Sequence, residues 1–131
     1  MAWGPMAEQQ QQGSLNAELQ ELLLVSLGAV PGALLRWQVA HHLDDRSVVV
    51  NVVGAALLGL LAGLPAAPRR QLLVGIGFCG SLTTFSSWML DAMRLISVGK
   101  VVEAFGLMGI TLGLGVAASW IGFRCGRVLL R

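Results

Sequence analysis

Four long apolar runs, separated by short polar or basic segments, dominate this sequence. They cover residues 22–43, 48–64, 72–96 and 101–123. A helix needs about 20 apolar residues to cross the hydrocarbon core of a bilayer, and each run is about that long. The runs show no alternation of period two, and only helices or closed barrels satisfy their backbone polar groups in lipid. The pattern therefore predicts an all-α membrane protein with four transmembrane helices.

Composition excludes several other classes. Only 12% of the residues are charged and 55% are hydrophobic, whereas soluble domains contain about 25% charged residues, so a soluble enzyme is not expected. The formal net charge of +2 is too small to predict a nucleic-acid surface. Cys79 and Cys125 are far apart and match neither metal-ligand nor disulfide spacing. No Cys–His, Ser–His or paired-carboxylate pattern indicates catalysis.

The N-terminus differs in character from the rest of the chain. Residues 1–20 are predicted to form a disordered polar tail, which includes a run of glutamines over residues 9–12. Residues 21–131 are predicted to form the membrane domain. Asn16 is of a type that caps helices, so the first helix is expected to begin near Ala17.

Glycines and hydroxyl side chains interrupt the third apolar run. Gly75, Gly77 and Gly80 match a dinucleotide-binding fingerprint, but no strand precedes them and no acidic residue follows at the required distance. The better interpretation is a broken transmembrane helix, because irregular backbone at membrane depth faces protein or a cavity and its carbonyls often bind cations. The alternative is a continuous helix whose hydroxyls bond to carbonyls one turn earlier.

Polar side chains inside the runs are the candidate functional residues, and each has a structural alternative. Arg36 is either functional or extends its charged end towards the headgroups. Asn51 either joins two helices or contacts a solute. Phe85 and Trp88 lie three residues apart on one helix face; they either pack or turn their positive ring edges towards an anion. Thr111 is predicted to bond to a neighbouring helix.

Pairs of glycines four residues apart predict close helix contacts. The pairs are Gly28/Gly32, Gly59/Gly63, Gly109/Gly113 and Gly122/Gly126.

A bundle of four short helices cannot easily enclose a polar path alone, so a second copy of the chain is expected to complete it. Dimers are the commonest closed assembly. The basic residues favour the orientation that leaves the N-terminal tail inside the cell.

Three blocks of sequence together resemble the CrcB/Fluc fluoride channels. They are Gly32-Ala-Leu-Leu-Arg36-Trp37, Val50-Asn51-Val-Val-Gly54 and Gly80-Ser81-Leu82-Thr83-Thr84-Phe85-Ser86-Ser87. Their order and spacing fit the family over about residues 22–125, and the third block is the specific one.

The resemblance implies a passive, fluoride-selective channel in the plasma or inner membrane of a prokaryote. It implies an antiparallel, dual-topology homodimer with two pores and a broken third helix, surrounded by membrane lipid. It also implies a structural sodium ion at the dimer centre, bound by the backbone carbonyls of Gly80 and Thr83. The residues expected to line the fluoride pore are Arg36, Asn51, Phe85, Ser86, Ser87, Trp88 and Thr111.

Three positions depart from the family pattern. Trp88 stands where Phe is usual, Asp91 replaces a Glu, and Trp37 replaces a Tyr.

The alternative function is a small proton-coupled exporter of the multidrug type, which needs a titratable carboxylate in mid-membrane. Asp91 and Glu103 lie towards the ends of their runs instead.

Overall fold

A computed structural model describes residues 4–42 and 47–129, and the side-chain surroundings from residue 13 onwards. Helix α1 covers Gly4–His42 and α2 covers Ser47–Gly63. Helix α3 has three consecutive parts, Pro68–Arg70, a π-helical stretch over Gln71–Cys79, and Gly80–Leu82. Helices α4 and α5 cover Ser86–Ser97 and Val101–Val128. Most of the described residues are helical and none of them forms a strand, which confirms the predicted all-helical class.

Three stretches are long and apolar enough to cross a membrane. They are Gly13–His42, Pro68–Ser97 and Val101–Val128, and the shorter apolar helix Ser47–Gly63 accompanies them. Most of their surface faces outwards; for example, only 11% of the most apolar window in Val101–Val128 is buried. A surface this apolar is not compatible with water but suits lipid or another apolar partner.

The N-terminal prediction needs a correction. Helix α1 begins at Gly4, so residues 4–20 are helical instead of disordered, and Asn16 lies inside the helix instead of capping it. Glutamine, glutamate and leucine have high helix propensities, which allows the apolar helix to continue into this polar segment. Residues 1–3 lie outside the described part of the chain. The division into a tail and a membrane domain remains a prediction.

Two pairs of helices pack closely through glycines, α1 with α3 and α2 with α5. A Cβ atom added to Gly28 would collide with the carbonyl of Leu73, and one added to Gly59 would collide with the carbonyl of Ser119. These contacts bring backbone against backbone, as expected for small residues spaced four apart. Nothing lies within 4 Å of the same position at Gly109 or Gly113, so this third predicted pair faces outwards.

The chain leaves helical geometry between α3 and α4. Thr83 is extended, with φ −75° and ψ 152°, and Thr84 and Phe85 are also outside the helices. Helix α4 ends at Ser97, and Gly99 follows two residues later with a φ of 79°, which suits glycine. There Gly99 N donates to Ile96 O (3.0 Å) and Lys100 N to Leu95 O (2.9 Å), a Schellman cap that turns the chain into α5.

Candidate functional site

Asn51 of α2 binds the non-helical segment by both ends of its amide. Its Nδ2 donates to Thr84 O at 2.8 Å, and its Oδ1 accepts from Thr84 N at 2.7 Å. Both groups are partly buried. The amide therefore joins α2 to the segment between α3 and α4. An amide nitrogen has two hydrogens, so the second remains for another acceptor.

The amide bonds of Asn51 change the partners of the α3 backbone. In a continuous α-helix Thr84 N would donate to Gly80 O, but it donates to Asn51 instead. Ser87 N would likewise donate to Thr83 O, but it reaches Thr84 Oγ1 at 3.5 Å. The carbonyls of Gly80 and Thr83 are therefore both released from the helical hydrogen-bond pattern.

Thr84 also organises the start of α4 through its hydroxyl. Thr84 Oγ1 lies 3.4 Å from Ser86 Oγ and 3.2 Å from Ser87 Oγ. The three hydroxyls thus form a connected polar group beside the first turn of the helix. A Cβ added to Gly54 of α2 would collide with Thr83 Cγ2, so a larger residue there would force the Thr83 side chain to move.

A first cavity of about 230 Å³ lies between α1, α2 and the start of α4. Arg36 lines it together with Trp37, Ser47, Thr84 and Ser87. Arg36 Nη1 is 3.5 Å from Thr83 O, so the guanidinium leans over the interrupted backbone while its side chain is exposed. We call this space the arginine cavity. A guanidinium at its wall raises the local concentration of anions.

A second cavity of about 360 Å³ lies on the other side of Thr84, between α2, α4 and α5. We call it the aromatic cavity. Its polar atoms come from Asn51, Thr83, Thr84 and Thr111, and its apolar wall includes Phe85 and Trp88. Thr84 lines both cavities and therefore lies between them.

Thr111 carries a buried hydroxyl without a partner. Its side chain is 6% exposed, and Oγ1 has no hydrogen bond to any described residue. Buried hydroxyls are nearly always paired, and leaving one unpaired costs about 1–3 kcal/mol. Thr111 was predicted to bond to a neighbouring helix, and within the described residues it does not.

Phe85 and Trp88 form an edge-to-face pair, with ring centroids 4.9 Å apart and an angle of 77° between the planes. Trp88 is buried at 6% exposure, whereas Phe85 is exposed at 66%. Phe85 thus lines the aromatic cavity with a largely exposed ring. Ring edges carry positive partial charge, which can stabilise an anion without a formal cation.

The structure brings most of the sequence-predicted site residues around one point. The residues that line either cavity are Arg36, Asn51, Thr83, Phe85, Ser87, Trp88 and Thr111. Ser86 is exposed and reaches the site only through Thr84, and Gly80 is exposed without lining either cavity. Sequence reasoning missed the central role of Thr84. A threonine just before a new helix is a recognisable capping signal.

The local charge is positive or neutral. Asp91 pairs with Arg94 at 3.4 Å, and Glu103 pairs with Lys100 at 3.1 Å. Within the described residues, no carboxylate lines either cavity. A site built from amide and hydroxyl hydrogens, ring edges and a nearby guanidinium suits a small anion.

Comparison with known proteins agrees with this chemistry. The family described as "CrcB-like protein, Camphor Resistance (CrcB)" matches residues 23–123. The chain is 78% identical over 124 residues to "Fluoride-specific ion channel FluC 2" of Synechococcus sp. (strain CC9902), covering 95% of this chain and 92% of that protein. It is 70% identical over 115 residues to the protein of the same name in Parasynechococcus marenigrum (strain WH8102), covering 88% and 87%. A third relative of that name, from Synechococcus sp. (strain CC9605), is 66% identical over 115 residues.

Proposed function

The chain belongs to the CrcB family, and on that premise we propose that it is a fluoride-specific ion channel in a membrane that it crosses several times. Its apolar helices suit a multi-pass membrane protein, and its relatives carry this function in their names. It is not an enzyme. The observation that carries the proposal is the aromatic cavity, where neutral donors converge without any carboxylate.

Fluoride is small and strongly hydrated, so a channel must replace its water with hydrogen-bond donors. Moving an anion into a low-dielectric medium without compensation is very costly. Asn51 keeps one amide hydrogen, the Thr111 hydroxyl has no hydrogen-bond partner among the described residues, and the Phe85 ring is largely exposed. We assign these groups to the fluoride path, with the hydroxyls of Ser86 and Ser87 next along it. Arg36 attracts the ion into the arginine cavity.

The proposed sodium ion would be held by the carbonyl oxygens of Gly80 and Thr83. Both have lost the amide partner that a continuous helix would give them, and carbonyl oxygens of unwound membrane helices are good ligands for Na⁺. The residues therefore fit such an ion. Bound there, Na⁺ would supply a fixed positive field to the site. Arg36 already donates to Thr83 O, so its guanidinium would share that carbonyl with the ion or move aside.

The finer architecture is also part of the proposal. Helix α2 has 17 residues, at the lower limit for a spanning helix. We count it as the second of four spans along the chain, and α3 and α4 together form a broken third span. The outward-facing glycines of α5 and the open mouth of the aromatic cavity favour a second, antiparallel copy against this face. Two such copies would give two pores in the inner membrane of a prokaryote.

Fluoride efflux tests the function directly. Purified protein in liposomes should release fluoride, measured with a fluoride electrode, and should retain chloride under the same conditions. Replacing Phe85 with isoleucine should reduce the fluoride rate. Equal leakage of both halides, or release of neither, would refute the proposal.

The proton-coupled exporter finds no support in the described structure. Asp91 and Glu103 both have solvent-exposed side chains, and each is paired with a basic residue three positions away in the sequence. Flux that depends on a pH gradient and disappears in Asp91→Asn would be required to revive it.

A further inference from the structure

The last two turns of α5 present two arginines, each of which lies over an aromatic ring of the same helix. Arg124 lies over the ring of Trp120, with its Cζ 5.4 Å from the ring centroid, and Arg127 lies over Phe123 at 5.8 Å. The arginines are three residues apart and therefore share one face of the helix. Neither forms a hydrogen bond or an ion pair with any residue in the described ranges.

Near the start of α5, two basic side chains are paired with carboxylates. Arg94 pairs with Asp91, and Lys100 pairs with Glu103, so those positive charges are largely balanced within the chain. At the end of α5, the two guanidinium groups instead surround a cavity of about 380 Å³, which Phe123 and Val128 complete. Among the residues that the structure describes, no carboxylate lines this cavity.

The level of this cavity, at the end of the apolar run of α5, indicates which kind of ligand it would bind. The apolar run of α5 ends at Phe123, and Trp120 is 62% exposed on the helix surface. Aromatic residues of this kind mark the level of the lipid headgroups, and arginines beside them extend towards the same level. An anionic phospholipid places its phosphodiester there and its acyl chains along the apolar helix above.

The aromatic rings prepare the guanidinium groups for such a ligand. A guanidinium that lies on a ring keeps its planar edge of N–H donors free, and that edge binds phosphate with two parallel hydrogen bonds. Because the stacking already restricts each side chain, less freedom is lost when a phosphate binds. The ring below each arginine also offers an apolar surface to the first part of an acyl chain.

We propose that Arg124 and Arg127, supported by Trp120 and Phe123, form a binding site for the headgroup of an anionic phospholipid. The site is separate from both cavities of the fluoride path and does not depend on the proposed channel function.

Native mass spectrometry of the full chain in detergent tests this directly. The protein is titrated with dioleoylphosphatidylglycerol and, separately, with dioleoylphosphatidylcholine, which has the same chains but no net charge. Each arginine near an anionic lipid contributes about fivefold in affinity, so two should favour phosphatidylglycerol by at least about tenfold. Equal binding of the two lipids by the unmodified protein would overturn the proposal without any variant.

Variants locate the site. Arg124→Gln with Arg127→Gln should reduce the preference to below about twofold, whereas Arg94→Gln, the same change at the other end, should leave it intact. If the double glutamine variant does not fold, Arg124→Lys with Arg127→Lys keeps the charge but loses the planar fork, and the preference should fall by severalfold. An unchanged preference in either double variant would place the lipid elsewhere. Inorganic phosphate at millimolar concentration should not displace the lipid; if it does, the site binds free anions and the proposal is wrong.

Discussion

Replacing Asn51 with alanine should both destabilise the protein and close the fluoride path. The substitution removes two hydrogen bonds, at 2.8 and 2.7 Å, each worth about 1 kcal/mol net. It also leaves the N–H and C=O of Thr84 without a partner beside a cavity that water can enter, which adds part of the penalty for a buried unpaired group. The free energy of unfolding should fall by about 2–3 kcal/mol.

The same change should alter the backbone of the site. Without the Asn51 oxygen, Thr84 N becomes available to Gly80 O, as in an ordinary helix. The segment would then lose the shape that separates the two cavities, and one amide donor would disappear from the aromatic cavity. Fluoride efflux should therefore drop at least about tenfold, the size expected when about 1.4 kcal/mol of ion stabilisation is lost.

Asn51→Asp separates the structural role from the role towards the anion. An aspartate that is protonated in acidic buffer can accept from Thr84 N and donate to Thr84 O, so its stability loss there should be smaller than that of the alanine variant. At neutral pH the aspartate is ionised. Its negative charge would face the fluoride path, so its efflux should be as low or lower. Ser26→Ala is the control, since that hydroxyl only bonds to Leu22 O of its own helix at 2.7 Å on an exposed face.

Two measurements decide the question. Unfolding in mixed micelles gives the stability of each variant, and a fluoride electrode gives the efflux from liposomes. The reasoning is refuted if Asn51→Ala unfolds like the unmodified protein, or if it conducts fluoride at the normal rate.

Three further predictions use the same assays. Gly59→Ala should cost about 1–3 kcal/mol of stability through overpacking, whereas Gly13→Ala, which meets nothing within 4 Å and is not on the α5 face proposed for the second copy, should cost nothing; equal losses would contradict the packing described. Arg36→Gln should lower fluoride efflux most at low ionic strength, because salt screens its attraction, and Arg36→Lys should retain most of the rate; a salt-independent loss would argue against steering. Thr111→Val should unfold no more easily than the unmodified protein, since its hydroxyl has no partner to lose, yet should conduct less fluoride; unchanged efflux would remove Thr111 from the path.

The helices were predictable because lipid permits so few alternatives. Apolar runs of sufficient length must pair their backbone groups internally, and hydropathy alone therefore indicated an all-helical membrane protein. The start of α1 was not predictable in the same way. Glutamine and glutamate suit both a solvated tail and a helix surface, and the structure continues the helix to Gly4.

Small-residue spacing predicted close helix contacts but not which helices would meet. Gly59 contacts α5 at Ser119, whereas Gly113 faces outwards although its spacing pattern is the same. Spacing identifies a face on one helix, and the partner is chosen by the connections and lengths of all the helices together. Similarly, the sequence placed an amide at Asn51, but only the tertiary structure brings it to Thr84.

An intact helix offers a permeating ion nothing, because each N–H is already bonded to a C=O of the same helix. The segment around Thr84 undoes this pairing, gives Thr84 and the N–H of Ser87 new side-chain partners, and releases the carbonyls of Gly80 and Thr83. The Asn51 amide takes both backbone groups of Thr84, and the Thr84 hydroxyl takes the N–H of Ser87. Side-chain donors and the free carbonyl acceptors of Gly80 and Thr83 thereby become available within the same few residues. One interruption of the backbone can thus serve both the proposed fluoride path and the proposed sodium ion, which is why both proposals rest on the same segment.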